Sequence, residues 1–499
     1  MKTLSAVVVT ALAALLPVTA HASFDEAVNN AVEPISKAVS AFIFASVTVG
    51  DVSIPLIVVW LVIGGLYFTV YLRFLPLRAL RVAFDIVRGK HDDPDDKGEV
   101  SHFQALTTAL SGTVGIGNIG GVAVAVTAGG PGAIFWMVLA GVLGMSSKLA
   151  ECTLAVKYRK YNDDGTISGG PMYFLEYGLR EKNLPKLGRS LGVFYAVAII
   201  FGCVGGGNMF QSNQAYEQFV LVTGGDASWF ADKAWLFGLI LAICVGVVII
   251  GGIQGIAKVT EKLVPGMALL YVATGLVILA MNADKLPGAI GMIIGGAFAP
   301  KAVAGGAIGA LIQGFRRAAF SNEAGLGSAA IAHSAVKTDK PATEGLVAML
   351  EPLIDTVIIC TITGLVITTT VYSPDMAEQG LAGVALTSAA FGSAFSAAEP
   401  ILAVAVMLFA FSTAISWSYY GLKGFTYLFG EHPIAQKGFQ FVFCGFTMLG
   451  CMVELNAVID LSDAMIFILA IPNLAGMYLL AGVVRKEIEE FLDEVRAPS

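Results

Sequence analysis

Val114-Gly115-Ile116-Gly117-Asn118 and, about 210 residues later, Ala324-Gly325-Leu326-Gly327-Ser328 are the stretches that decide how this chain is read. Each has two glycines one residue apart, an apolar residue before and between them, and a small polar residue after. Each lies inside a long apolar stretch. Glycine is a poor helix residue, by ~1 kcal/mol against alanine, so two close together invite unwinding. A matched pair of interrupted hydrophobic segments, one in each half of a chain, points to the binding site of a secondary transporter built from inverted repeats.

The chain has 499 residues, of which 56% are hydrophobic and 13% charged, with a mean hydropathy of +0.77. A soluble domain carries about 25% charged residues, so lipid is the expected solvent. The net charge of −7 and the lack of a basic tail or a basic–aromatic run give no sign of a nucleic-acid partner. The six cysteines stand singly in apolar segments and read as small buried residues. The five histidines lack HxxxH or HExxH spacing, so no zinc site is expected.

Lys2, the apolar run from Ala6 to Val18 and Ala20-His21-Ala22 form the pattern of a secretory signal peptide over residues 1–22. An uncleaved anchor is the alternative. After it come eleven hydrophobic segments, at 53–72, 104–128, 132–157, 191–222, 235–252, 262–281, 303–333, 346–371, 400–428, 438–456 and 461–484. Alternate loops hold 22 of the 30 basic residues, which places those loops in the cytoplasm. The N-terminus is then outside and the C-terminus inside, the arrangement a cleaved signal also delivers. The organisation expected is an extracytoplasmic stretch 23–52, a first helix and loop 53–101, five-helix repeats over 102–282 and 302–485 in opposite orientation, and a cytoplasmic tail 486–499.

Half-helix N-termini present free N–H groups and a positive dipole end, and half-helix C-termini present free carbonyls. The first suit a carboxylate and the second a dehydrated cation, so a zwitterionic amino acid with Na⁺ fits. The alternative is that the glycines only allow close helix packing. Gly115, Gly117 and Gly120 also fit G-x-G-x-x-G, but no soluble strand–helix unit surrounds them.

Ser412 and Thr413 offer adjacent hydroxyls, and Trp417 lies one turn beyond Thr413. These hydroxyls suit a cation site, and they equally suit bonding to i−4 carbonyls or a neighbouring helix. Trp417 reads as packing or as recognition. Asn208 and Gln211 are three apart in an amide-rich helix, with Gln211 a candidate substrate-side group. Among the few intramembrane charges, Lys148 and Glu151 read as a local ion pair. Arg316 and Arg317 are the expected partners of Glu323, Glu351 and Asp355, in a structural or gating network or in direct proton or substrate coupling.

With these residues laid out, the chain resembles the alanine/glycine:cation symporter family, in prokaryotes a sodium:alanine symporter family. The motifs are Gly112-Thr113-Val114-Gly115-Ile116-Gly117-Asn118-Ile119, Gly129-Gly130-Pro131-Gly132-Ala133-Ile134-Phe135-Trp136-Met137 and Phe320-Ser321-Asn322-Glu323-Ala324-Gly325-Leu326-Gly327-Ser328-Ala329. Arg316-Arg317-Ala318 departs from the family's arginine-then-glycine. The resemblance implies an all-α integral membrane protein with the leucine-transporter-like five-plus-five inverted repeat and one extra N-terminal transmembrane helix. It implies Na⁺-coupled import of alanine or glycine by alternating access, by a monomer in a bacterial inner membrane, with no cofactor beyond Na⁺ and no catalytic residue. The Na⁺ site it implies is Ser111, Val114, Ser412 and Thr413. The substrate site it implies is Thr113, Gly115, Gly117, Gln211, Ser321, Asn322 and Trp417.

A proton-coupled transporter, a channel and a membrane-embedded enzyme are the competing classes. No filter motif marks a channel, and no nucleophile with its base or paired catalytic carboxylates marks an enzyme.

Overall fold

A computed structural model describes residues 24–49, 52–299, 306–373 and 382–496. The signal peptide expected over 1–22 lies outside the described residues. What is described is almost wholly helical, with two short antiparallel hairpins, Ser46–Val49 with Val52–Pro55 and Lys160–Tyr161 with Ile167–Ser168. Among the described residues, six helices are long and apolar enough to cross a membrane, or eight if two bent pairs each count as one span.

Described helix covers most of each of the eleven expected segments, with residues 303–305 of the seventh outside the described residues. The first is Leu56–Tyr71, bent by 77° into the amphipathic Leu75–Val87. The second is broken: His102–Thr113 stops and Gly120–Gly129 leaves at 56° after a short turn at Ile116–Asn118. The seventh is also broken, Gly306–Asn322 ending six residues before Ala329–His333 begins. Two helices stand where loops were expected, Leu286–Phe298 and Gly383–Gly392. Both are too short to read as spans, and periodicity does not separate short apolar runs into loop and helix. The last segment is two helices, Leu455–Phe467 and Ala470–Arg496, the second running on through most of the expected tail.

The broken helices sit at the centre. Gly306–Asn322 packs on Gly132–Lys157 and Gly120–Gly129. The long helix Ala398–Phe429 packs on His102–Thr113, Pro185–Val204, Phe210–Val222 and Gly252–Met281. The lipid-facing side chains are apolar, among them Leu239, Ile243, Val247, Leu269 and Leu276, all well exposed. Such a surface is stable only against hydrocarbon. Of the cysteines, Cys244 is exposed on that face, which corrects the expectation of burial, and Cys152, Cys203, Cys360 and Cys451 are buried as expected.

Two wide turns with i→i+5 hydrogen bonds re-aim polar side chains inward, at Gly205–Met209 and Leu353–Cys360. They precede Gln211 and contain Asp355.

Candidate functional site

The first broken helix is capped at its start by Ser101, whose hydroxyl accepts from the Gln104 N–H at 3.2 Å while Gln104 Oε1 accepts from the Ser101 N–H at 3.1 Å. Its end is held open by side chains. The Gly115 N–H donates to Asn118 Oδ1 at 2.8 Å and the Ile116 N–H donates to Gln211 Oε1 at 3.0 Å. Peptide groups freed from a helix inside a membrane must find such partners. Gly115 has extended backbone, φ −140°, so its glycine is needed for space and not for conformation. A Cβ there would lie 2.4 Å from Thr413 Oγ1. A Cβ on Gly117 would lie 3.1 Å from the Ser321 Cα, so the first break backs directly onto the second.

The second break works differently. Glu323, Gly325 and Gly327 have φ of +58°, +88° and +79°, the left-handed region in which glycine carries no steric cost. Its peptide groups are also met from outside: the Gly325 N–H donates to Glu151 Oε1 at 2.6 Å, Asn473 Nδ2 donates to the Gly325 carbonyl at 2.8 Å, and Tyr195 Oη donates to the Leu326 carbonyl at 2.9 Å.

Two side chains tie the breaks to each other. Asp355 accepts from Asn118 Nδ2 at 2.6 Å on the first break and from Ser321 Oγ at 2.9 Å on the second, and Thr356 Oγ1 donates to it at 2.6 Å. All three donors are neutral, and no ion pair involves Asp355 among the described residues. Trp417 Nε1 donates to the Gly112 carbonyl at 3.2 Å and to Glu323 Oε1 at 3.0 Å. Its ring lies against Gly207, where a Cβ would stand 2.2 Å from Trp417 Cγ. Gly207 is thus what admits the indole, while Gly205 and Gly206 make room for Met465 and Ile466.

Every residue read as a site candidate is buried here. Ser111 Oγ donates to the Ser412 carbonyl at 2.6 Å, and Ser416 Oγ to the Thr108 carbonyl at 2.9 Å, zipping the first broken helix to Ala398–Phe429. Ser412 Oγ donates to Phe409 O at 2.9 Å and Thr113 Oγ1 to Ala109 O at 3.3 Å, the local bonding that hydroxyls in membrane helices adopt. Val114 closes the helix, its N–H reaching Leu110 O at 2.7 Å. Asn322 Nδ2 donates to Thr356 Oγ1 at 2.9 Å. Gln211 serves the backbone at both ends, its Nε2 donating to Gly206 O at 2.9 Å. Thr413 differs from all of these: its hydroxyl is fully buried beside Gly115 and has no hydrogen-bond partner. A buried, unsatisfied oxygen facing unwound backbone is the donor chemistry a small hard cation takes.

The charge pairings read from sequence spacing do not hold. Arg316 and Arg317 both pair with Asp463, Arg316 Nη2 at 2.6 Å, and not with Glu323, Glu351 or Asp355. Lys148 pairs with Glu351 at 3.2 Å, and Glu151 turns to the second break. Three-residue spacing puts two side chains on one face, but burial on all sides lets each turn to a different neighbour. Asn118 and Asn473 are site-forming residues that spacing did not single out, and Glu151 and Glu323, singled out as ion-pair partners, serve the second break instead. Asn118 and Glu323 stood inside the quoted motifs, which was the available signal.

A match to the sodium:alanine symporter family covers residues 37–498. The chain belongs to that family. It is 43% identical over 443 residues to the sodium/alanine symporter AgcS of Methanococcus maripaludis, covering 89% of this chain and 95% of that one. It is 35% identical over 450 residues to the probable sodium/glutamine symporter GlnT of Bacillus subtilis, covering 89% of each. Among solved structures it is similar to MhsT in complex with L-phenylalanine, with a TM-score of 0.56 and 14% identity over 79% of this chain and 93% of that one. That likeness shows the leucine-transporter fold. The chain is a multi-pass membrane protein and a sodium-coupled amino-acid symporter.

Proposed function

We propose that this symporter imports alanine, glycine or both, with the ion and the passenger held between the two breaks. The observation that carries the reading is the unpartnered Thr413 hydroxyl against Gly115, where two broken helices back onto each other. Thr413 and Ser412 supply hydroxyl oxygens to Na⁺, with backbone carbonyls near Ser111 and Val114 completing the site. Thr113, Gly115, Gly117, Ser321 and Asn322 border the amino acid, Gln211 keeps the first break open, and Trp417 walls the space while linking both breaks. Asp355, a carboxylate with only neutral donors, supplies negative charge for the cationic species that enters. The family match and the 43% identical sodium/alanine symporter support alanine as the passenger.

Orientation follows the basic loops, with the C-terminus cytoplasmic, in a bacterial inner membrane, and the unit is the monomer. One Na⁺ entering down 100 mV gains ~2.3 kcal/mol, enough alone for roughly 40-fold accumulation of a neutral zwitterion at ~1.4 kcal/mol per tenfold. In liposomes, labelled alanine should accumulate under an inward Na⁺ gradient. Uptake that persists when choline replaces Na⁺ would exclude sodium coupling, and conductance without accumulation would turn the reading to a channel.

A further inference from the structure

Buried acids and bases form a file that runs from one face of the protein to the back of the second break. It starts at Asp92, 53% exposed in a basic loop, whose Oδ1 lies 3.9 Å from His102 Nε2. His102 Nδ1 meets Glu344 Oε2 at 2.5 Å, and Glu344 Oε1 meets His333 Nδ1 at 2.5 Å. His333 Nε2 meets Glu351 Oε1 at 2.7 Å, and Glu351 Oε2 accepts from Lys148 Nζ at 3.2 Å. His102 is 3% exposed, and the four groups beyond it are 0% exposed. Asp96 also faces His102, and Glu151, Cys152, Glu323, Asp355 and Tyr420 surround the inner end.

A donor count shows what the file contains. An ionised carboxylate only accepts, and a neutral imidazole has one N–H. Both ring nitrogens of His333 face carboxylates, so either the ring carries two protons or one carboxyl is protonated. The geometry therefore requires a labile proton in the apolar interior.

We propose that His333, bridged between Glu344 and Glu351, is a proton-binding site filled from the face that carries the basic loops, and that filling it latches the two broken helices together at that face. His102 opens the first broken helix and His333 closes the second, and one carboxylate, Glu344, holds both. Loading adds one H⁺. His102 takes it at Nε2 beside Asp92 and releases its Nδ1 proton to Glu344 Oε2. Glu344, after its carboxyl turns, gives a proton to His333 Nδ1 and returns to a carboxylate, and His102 is left as the Nε2–H tautomer, whose ring must turn over before it relays again. The loaded imidazolium attracts both flanking carboxylates more strongly than the neutral ring does, so acid on this side opposes separation of the helix ends. The file meets solvent at Asp92, so the proton binds and leaves from that side.

Two measurements test this. In vesicles whose orientation is fixed by protease access to the basic loops, sodium-driven alanine uptake should fall as the compartment facing Asp92 is taken from about pH 8.5 to about pH 5.5, by up to about tenfold per unit beyond the midpoint, with little response to the other compartment. His102→Gln should flatten that response. A flat wild-type profile, or a full response in the variant, would overturn the proposal. Nitrogen-15 NMR of the wild-type protein labelled at its histidines needs no variant and no transport. It should show His333 with both nitrogens protonated at acid pH and one proton lost on raising the pH. A His333 that stays a neutral single tautomer throughout overturns the latch even if alanine transport is confirmed, and a titrating His333 in a protein that moves no alanine would count against the transport reading alone.

Discussion

Gly115→Ala probes the meeting of the first break with Thr413. The added Cβ would stand 2.4 Å from Thr413 Oγ1 and 3.1 Å from Gln211 Oε1. Ordinary contact needs Thr413 to retreat by about 1 Å, and overpacking of this kind costs about 1–3 kcal/mol. The backbone at 115 is extended and accepts alanine, so the cost falls on the neighbours. If the retreating oxygen is a sodium ligand, the half-saturating Na⁺ concentration for alanine uptake should rise roughly 5- to 150-fold. Thr413→Ala should also raise the sodium requirement, more than it alters selectivity among small amino acids. In that background only Gln211 Oε1, at 3.1 Å, still crowds the new Cβ, so adding Gly115→Ala should cost less than about twofold more. Gly121→Ala, with no heavy atom within 4 Å of its Cβ, is the neutral control. A Gly115→Ala protein with the wild-type sodium requirement, or equal added losses in both backgrounds, would refute the reasoning.

Other expectations follow from the same contacts. Trp417→Phe removes the donor to Gly112 O and to the buried Glu323 carboxylate, and should lower thermal stability in detergent by about 1–3 kcal/mol; an unshifted melting curve counts against the bridge. Gly327→Ala meets a left-handed backbone at +79° and Asn473 Oδ1 at 2.4 Å, so the yield of folded protein should collapse, whereas Gly288→Ala, in open space, should express normally. Asp355→Asn keeps the shape between Asn118 and Ser321 but removes the charge, and should weaken sodium or alanine binding by at least about tenfold, or 1.4 kcal/mol, measured by equilibrium binding. Wild-type affinity in that variant would remove Asp355 from the site.

The breaks were legible because glycine pairs are conspicuous in apolar helices, and the sequence marks them without knowing the fold. Their neighbours were less so. The residues bracing the second break, Glu151, Tyr195 and Asn473, come from three helices spread over more than 300 positions, and no local spacing announces such a meeting. Arg316 and Arg317 misled because acids nearer in sequence stood ready as partners, while Asp463 reaches them from 147 and 146 positions away. Gln211 was visible as a costly amide in the membrane, but its task of holding a peptide N–H of the break depends on a wide turn at Gly205–Met209 that composition does not reveal. The histidine file escaped for the opposite reason: five scattered histidines show no metal spacing, and only the fold brings His102 and His333 onto one carboxylate.

The most direct test of the account is a structure of the protein loaded with sodium and alanine. The ion should lie within coordination distance of Thr413 Oγ1, with the amino acid beside Gly115, Gly117 and Ser321 and both helices still interrupted. An ion bound away from Thr413, or alanine seated outside the space between the two interruptions, would contradict it.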